Sequence, residues 1–546
     1  MPKPRLDCLL DAWRQNPGNV LWLSADTSIA FDDFADLVAA AERWLAAEGL
    51  TGGDRVAVWL PNRVEWLALL FAMARAGVTL VAVNTRYRAA EVEYILKASA
   101  ASRLILQTDF RGIDFPGILN GVDSASLPDL QAVSVLTGSG KSEFGLPEVL
   151  LGRKVRPVNL WAGVQPGAGM SWDVLSDPSA ALAFFTTSGT TRSPKLVMHS
   201  QATLALHSQR VAPRFGFDAP GAGLLAAMPF CGVFGLNAAL GAIAGGAGLH
   251  LCDVFDPQDA LSRVEAHTLT HLIGSDEMLA RLLDVADEPG GDRGACLKSL
   301  RLCGFASFTP GLSSRLRDAA QGGLPLRGLY GSSEVNALFA LQDADLPLEE
   351  RLKAGGSPTS ADADVRVVDA QSGKVLPIGE AGALEIRAQT SFTGYFRNPD
   401  AMAEAMTGDG FFRTGDIGAM RDDGSFVYIT RAGDAIRLGG FLVDPAEIEE
   451  VLKTLPGVAD AQVVAVEWHE RLLPVAFVIC DPITAFDEAV VHAAAAARLA
   501  KFKRPLRVYP LEAFPVTQSA NGVKVQRAKL RAMAMERLAA DKVPAT

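Results

Sequence analysis

The sequence predicts an α/β protein in two parts: a large N-terminal domain of helix-covered sheets over residues 1–433, and a small C-terminal α+β domain over residues 434–546. Three observations carry this. The chain has 546 residues, enough for several cores of ordinary size. Up to about residue 430, short β-rich apolar runs alternate with amphipathic stretches, the pattern of parallel strands covered by helices. Near "ITRAGDAIRLGGFLVDP" the pattern changes, and a compact unit of two strong helices and several strands follows.

The alternation opens with the strand "RVAVWL". It continues through the helix "VEWLALLFAMARAG", the strand "VTLVAVN", the helix "AAEVEYILKASA" and the strand "RLILQT". The most membrane-like stretch, "WLALLFAMARAGVTLVAVN", lies here. Arg75 and Gly77 interrupt it, so it reads as a buried helix, a turn and a buried strand rather than a span. Residues 138–176 are rich in Gly, Pro and Ser and read as a surface excursion. The apolar run Ala181 to Phe185 then leads, as a strand, into "TTSGTTRSPKLVMHS". Beyond the boundary, "PAEIEEVLKTL" is a helix opened by a proline, and "DEAVVHAAAAARLAKF" is a second. The strands of that unit are "DAQVVAVEW", "LPVAFVIC" and "LRVYPL". No repeat of fixed period runs through the chain.

Composition narrows the class. Charged residues make up 21% and hydrophobic ones 49%, an ordinary balance for a soluble globular protein. A formal net charge of -11 argues against a broad basic surface for nucleic acid, although a small anionic ligand needs only a local cluster. The N-terminus has charges throughout and no apolar run of signal-peptide length, and no segment reads as an integral membrane helix. Six cysteines without a CxxC pair suit free thiols in a reducing cytoplasm, with no disulfide framework or zinc knuckle.

Two apparent motifs fail on their own terms. "GSGKS" at 138–142 resembles the end of a Walker loop, but Val135 stands where that loop needs glycine and "EFGLPEVL" breaks off the required helix. His267 and His271 in "HTLTH" have metal-ligand spacing, yet there is no intervening glutamate and no third ligand nearby, which favours a structural pair. "TTSGTT" is different. Consecutive backbone N–H groups and hydroxyls after a strand can converge on phosphate oxygens, and Lys195 adds a charge that can follow them. Alone, the segment could equally be a Ser/Thr-rich turn.

It is joined by "LRGLYGSSEV", "GFFRTGDIG", "YITRAGDAIRLGGFLVDPAEIEE" and "NGVKVQRAKLR", and by "VNTRYRAAEVEYIL" and "MPFCGVFGL" earlier in the chain. With these in order over nearly its whole length, the sequence resembles the AMP-forming acyl-CoA synthetases. That family belongs to a larger group with luciferases and peptide-synthetase adenylation domains. The resemblance implies an acid-thiol ligase. A carboxylic acid (fatty, aromatic or alicyclic) attacks the α-phosphorus of ATP, pyrophosphate leaves, and the acyl group passes from the acyl-adenylate to coenzyme A. It implies Mg²⁺ as cofactor and a small domain that is mobile, rotating between the two steps.

Carried over by position, the resemblance gives Thr187, Ser188, Gly189, Thr190, Thr191 and Lys195 the phosphates of ATP. Tyr330 would lie against adenine, with the backbone of Gly304, Phe305 and Ala306 completing that pocket. The Ser333 hydroxyl would meet the α-phosphate and Glu334 would hold Mg²⁺, a hard cation that takes carboxylate oxygen. Asp416 would accept from both ribose hydroxyls, with Arg431 close by, and Lys524 would be the catalytic lysine. Phe230, Gly232, Gly328 and Gly331 would line the acyl pocket; Asp434 would be the hinge, and Gly439 and Gly440 the loop on the coenzyme A side. Cations matter because two anions must approach each other.

The departures are specific. Arg192 and Leu196 replace usual glycines, Gly433 replaces a hinge-adjacent lysine, and an extra residue separates Gly522 from Lys524. Gly232 stands where histidine or an aromatic is frequent, and Asp276 and Glu277 stand where apolar residues, proline or threonine are common. Two alternatives share the same motifs: transfer to a carrier-protein phosphopantetheine, and a degenerate nucleotide-binding protein without catalysis. The acid and the oligomeric state are not legible, a homodimer being one expectation.

Overall fold

In a computed structural model, the described residues are 3–15, 20–22, 27–110, 112–137, 146–167, 176–187, 194–287, 297–306, 313–431, 436–438, 441–443, 445–469, 471–480, 486–519 and 522–541. They form two large sheets with helices between and around them, and a smaller set of strands after residue 435.

One large sheet has nine strands. Its centre is parallel: Thr79–Ala82, Arg55–Trp59, Arg103–Leu106 and Ala132–Leu136 pair in that order. The expected helix and strand around Gly77 are both present, as Val64–Ala76 and Thr79–Ala82. Gly77 ends the helix at φ 71°, a left-handed turn that costs glycine nothing. The other sheet has thirteen strands. Its parallel part, from Gly248–Leu251 through Leu302–Ala306 to Leu326–Tyr330, passes into an antiparallel part that includes Phe412–Met420 and Phe426–Arg431.

Between the sheets runs a shared core. The helices Phe31–Ala47, Val64–Ala76, Gln201–Phe215 and Val233–Gly245 contribute to it, together with Val56 and Leu80 from one sheet and Leu224 and Leu249 from the other. Val64–Ala76 is buried along its length, which explains why its sequence resembles a membrane segment. No helix among the described residues is long and apolar enough to cross a membrane.

The stretch 138–176 departs from the expectation of a surface excursion. Arg153–Val158 pairs in parallel with Ala132–Leu136 and extends the nine-stranded sheet. Val155 and Val158 are buried while Lys154, Arg156 and Pro157 face outward; two charges and a proline hid the strand in the sequence. The "GSGKS" segment lies outside the described residues. His267 follows the helix Pro257–Ala266, whereas His271 begins the strand His271–Ser275, so the two do not share a helix face. His271 is a core residue, its Nε2 bonded to the Phe215 carbonyl at 2.8 Å.

After residue 444 come the helices Pro445–Lys453, Glu488–Arg498 and Arg527–Ala540, with the sheet Val458–Trp468, Arg471–Cys480 and Val508–Leu511. Both faces of this sheet are covered. Ile448, Leu452 and Val491 pack on one, and Leu530, Ala534 and Leu538 on the other. Lys503 of this unit reaches Glu91 of the helix Ala89–Ser99, Nζ to Oε1 at 2.8 Å.

Candidate active site

Two paired strands flank the segment "TTSGTTRSPK". Ala181–Thr187 and Lys195–Ser200 are antiparallel, with Thr187 directly opposite Lys195. Phe184 and Phe185 anchor the first strand in separate cores on its two faces, as period-two alternation requires. Ser188, Gly189, Thr190, Thr191 and Arg192 lie outside the described residues. Leu196 is 4% exposed and packs with Phe184, while its carbonyl accepts from the Phe396 amide at 2.9 Å. The leucine that replaces glycine is therefore a core side chain of the hairpin.

Lys195 is not buried, and its Nζ stands 4.8 Å from the ring centroid of Tyr395. Tyr395 lies on the short edge strand Gly394–Tyr395, opposite Val197. Its hydroxyl donates to Glu334 Oε1 at 2.9 Å. One tyrosine thus touches both the lysine of the hairpin and the carboxylate on the other sheet's loop.

Glu334 lies on the loop that follows the strand Leu326–Tyr330, and that loop is held from beneath. His199 Nε2 bonds the Ser333 carbonyl and His207 Nε2 bonds the Ala337 carbonyl, each at 2.7 Å. A carbonyl only accepts, so both imidazoles carry the proton on Nε2. Both rings are fully buried, and burial pushes each imidazole down to about 4, so they are neutral donors at physiological pH. Asn336 adds two bonds: it accepts from Asn237 Nδ2 at 3.0 Å and donates to the Thr390 carbonyl at 2.8 Å. Its φ is 60°, and that of Leu338 is 68°. Left-handed backbone at these non-glycine positions marks a loop whose shape is imposed by its contacts. Gly331 lets the loop close on itself, since a Cβ there would lie 2.7 Å from Ala337 Cα.

On the other side, Tyr330 donates to Asp416 Oδ2 at 2.6 Å. The Tyr330 ring meets Phe426 edge-on at 5.2 Å. Asp416 is 2% exposed and stands opposite Arg431 on the neighbouring strand. Gly304, Phe305 and Ala306 end the parallel strand beside Leu326–Tyr330, at the carboxyl edge where α/β sheets bind ligands. Phe305 itself is buried in the core beneath, leaving backbone at that edge.

Phe230 is buried 5.7 Å from the Trp66 ring, and its amide donates to Asn62 Oδ1 at 2.7 Å. Gly232 sits at the N-cap of Val233–Gly245; a Cβ there meets nothing closer than the Pro229 carbonyl oxygen at 3.6 Å. At Gly328 a Cβ would lie 1.9 Å from the Lys353 carbonyl oxygen, so its missing side chain admits backbone. Burial pushes the Cys231 thiol up to about 11, which makes it a poor nucleophile. Asp276 and Glu277 open the helix Asp276–Ala286, where acidic residues favour the helix N-terminus.

Asp434, Gly439 and Gly440 lie outside the described residues. Lys524 is on the hairpin Val516–Ser519/Gly522–Val525, opposite Thr517. Among the described residues no three His, Cys, Asp or Glu side chains gather as a metal cage. A lone carboxylate is nonetheless the donor set for Mg²⁺, which keeps several waters and shares substrate phosphates. Tyr395 holds one Glu334 oxygen and leaves the second for such an ion.

Sequence reasoning missed Tyr395, His199, His207 and Asn336. His199 stands in the stretch "TTSGTTRSPKLVMHS" with nothing to mark it, and the other three belong to no run or spacing that signals chemistry. Only the pairing of Gly394–Tyr395 with Lys195–Ser200 brings Tyr395 to Glu334, across 61 residues of chain.

Comparison with known proteins agrees along the chain. The AMP-binding enzyme family profile matches residues 9–396, and the AMP-binding enzyme C-terminal domain matches residues 447–521. The chain is 32% identical over 538 residues to the 3-[(3aS,4S,7aS)-7a-methyl-1,5-dioxo-octahydro-1H-inden-4-yl]propanoyl:CoA ligase of Mycobacterium tuberculosis, covering 95% of this chain and 96% of that protein. It is 27% identical over 533 residues to the medium-chain fatty-acid–CoA ligase of Escherichia coli, covering 94% of this chain and 87% of that protein. The amide bond synthetase of Marinactinospora thermotolerans shares the fold, with a TM-score of 0.79 at 24% identity over 96% of this chain and 99% of the other.

Proposed function

This chain belongs to the AMP-binding enzyme family, and from that premise we propose how its residues divide the work. The protein is an AMP-forming acid-thiol ligase. It joins a carboxylic acid to the α-phosphate of ATP with release of pyrophosphate, then passes the acyl group to coenzyme A.

The observation that carries the residue assignment is the Lys195–Tyr395–Glu334 contact across the two sheets, with the Tyr330–Asp416 bond on the same loop-bearing strand. Lys195 and the residues Thr187 through Thr191 take the phosphates. Ser333 meets the α-phosphate, and Glu334 would hold Mg²⁺, which would supply charge neutralisation to the phosphates. Asp416 accepts from the ribose hydroxyls, Arg431 approaches the same ribose, and Tyr330 with the backbone of Gly304, Phe305 and Ala306 forms the adenine side. Lys524 supplies a second cation while the two anions approach. Asp434 is the hinge between a domain ending at residue 433 and one beginning at 434, with Gly439 and Gly440 facing coenzyme A. The enzyme works in the cytoplasm, as its cysteine usage suggests.

For the acid we favour a bulky alicyclic carboxylate. Gly232 adds no side chain to the Phe230–Val233 wall, and the Mycobacterium tuberculosis relative is named for a fused-ring propanoyl group. Pyrophosphate release and thioester formation should be measured on fatty, aromatic and fused-ring acids with ATP and coenzyme A. Highest kcat/KM on the fused-ring acids is expected. Preference for straight-chain acids would overturn the substrate class, and ADP as product would overturn the assignment of roles.

A further inference from the structure

We infer that Tyr395 is a positioning residue for adenylation: it holds Lys195 and Glu334 near one another without letting them pair, so that both charges stay available to the nucleotide and its divalent cation. The inference rests on the function proposed above. The two groups have opposite charge, and Lys195 lies against the Tyr395 face while Glu334 lies against its hydroxyl. Among the described residues neither makes an ion pair. A direct Lys–Glu bridge would neutralise both and would have to break before phosphate and metal could bind. A tyrosine between them gives each a weaker, neutral partner. The ring face attracts the ammonium through its quadrupole, and the hydroxyl donates to one carboxylate oxygen.

The position of Tyr395 is fixed by its surroundings. The residue is buried, its ring packs against Phe392 at 5.0 Å, and its backbone is paired to the strand that begins at Lys195. The neighbouring Phe392 amide donates to the Glu334 carbonyl at 2.6 Å, tying the same segment to the Glu334 loop by backbone as well. Side-chain freedom on either sheet is therefore referred to one fixed ring.

Tyr395→Phe keeps the ring and its packing and removes only the hydroxyl; Tyr395→Leu removes the aromatic face as well. Binding is read by calorimetry with a non-reacting ATP analogue, and divalent-cation affinity by Mn²⁺ paramagnetic resonance in the ternary complex. For Tyr395→Phe we expect unchanged analogue affinity without metal and roughly tenfold weaker Mn²⁺ binding, the size of one lost hydrogen bond to a charged group. The Mg²⁺ dependence of pyrophosphate release should shift in parallel, while acyl transfer from supplied acyl-adenylate to coenzyme A does not change. Tyr395→Leu should also weaken analogue binding without metal. Wild-type Mn²⁺ affinity in Tyr395→Phe would overturn the inference, as would equal loss in both half-reactions. These binding titrations do not depend on the acid, so failure of the wild-type enzyme on every acid would count against the proposed function and not against Tyr395.

Discussion

Replacing Asn336 separates two costs that the Glu334 loop carries. The side chain is fully buried and makes two hydrogen bonds, to Asn237 Nδ2 and to the Thr390 carbonyl, while the backbone sits at φ 60°. Asn336→Ala breaks both bonds and leaves buried partners short, at about 1–3 kcal/mol each. Asn237 keeps a long contact to the Ala337 carbonyl at 3.4 Å, which places its share at the low end. Alanine also pays for the left-handed region, roughly 1–2 kcal/mol that glycine avoids. The total is roughly 3–6 kcal/mol for alanine, and for Asn336→Gly about 1 kcal/mol less. That sign is diagnostic, because in ordinary helix or strand positions glycine is the worse of the two by about 0.5–1 kcal/mol. Urea unfolding followed by tryptophan fluorescence compares the two midpoints at equal slope. An alanine variant as stable as the glycine variant, or more so, would refute the claim that the loop is held in strained backbone by its contacts.

His199 and His207 titrate near 6.5 when unfolded and are pushed down to about 4 when folded. The unfolded chain therefore binds more protons between those values, and stability should be level above pH 6.5 and fall as pH drops toward 4, by up to roughly 3 kcal/mol per histidine. His207→Gln, which retains a donor, should flatten that slope; urea midpoints across the window that superimpose on wild type would contradict it. Gly232→Phe should abolish pyrophosphate release with the bulkiest accepted acids and spare small ones, since overpacking excludes by shape; a uniform fall across acid sizes would mean that Gly232 serves the backbone alone. Lys524→Ala should slow acyl-adenylate formation on the order of a hundredfold or more while sparing thioester formation from supplied acyl-adenylate. Equal loss in separate half-reaction assays would remove Lys524 from its role.

The alternation of apolar runs over residues 55–107 was enough to read the parallel centre of the nine-stranded sheet, because buried strands and amphipathic helices differ in period and length. The strand Arg153–Val158 escaped because only two of its six residues are buried and one is proline. Lys195, Ser333, Glu334 and Asp416 could be named from the sequence because they stand at motif positions of the family it resembles. The groups that hold them could not. His199, near the end of the strand Lys195–Ser200, and His207, within the helix Gln201–Phe215, look like incidental polar residues, and their role is set by carbonyls more than 120 residues away. Leu196 reads in sequence as a departure from a usual glycine; burial against Phe184 shows it as part of the hairpin core.

The central claim is that the acid becomes bonded to AMP before coenzyme A takes it, and one isotope experiment addresses that directly. The accepted acid is labelled with heavy oxygen in its carboxylate and turned over with ATP, Mg²⁺ and coenzyme A. When the carboxylate attacks the α-phosphorus, one of its oxygens becomes the bridge, and attack of the thiol on the acyl carbon leaves that oxygen on the phosphate. Mass spectrometry should find one labelled oxygen in each AMP and none in pyrophosphate. Label in inorganic phosphate with ADP as product, or unlabelled AMP, would contradict the account.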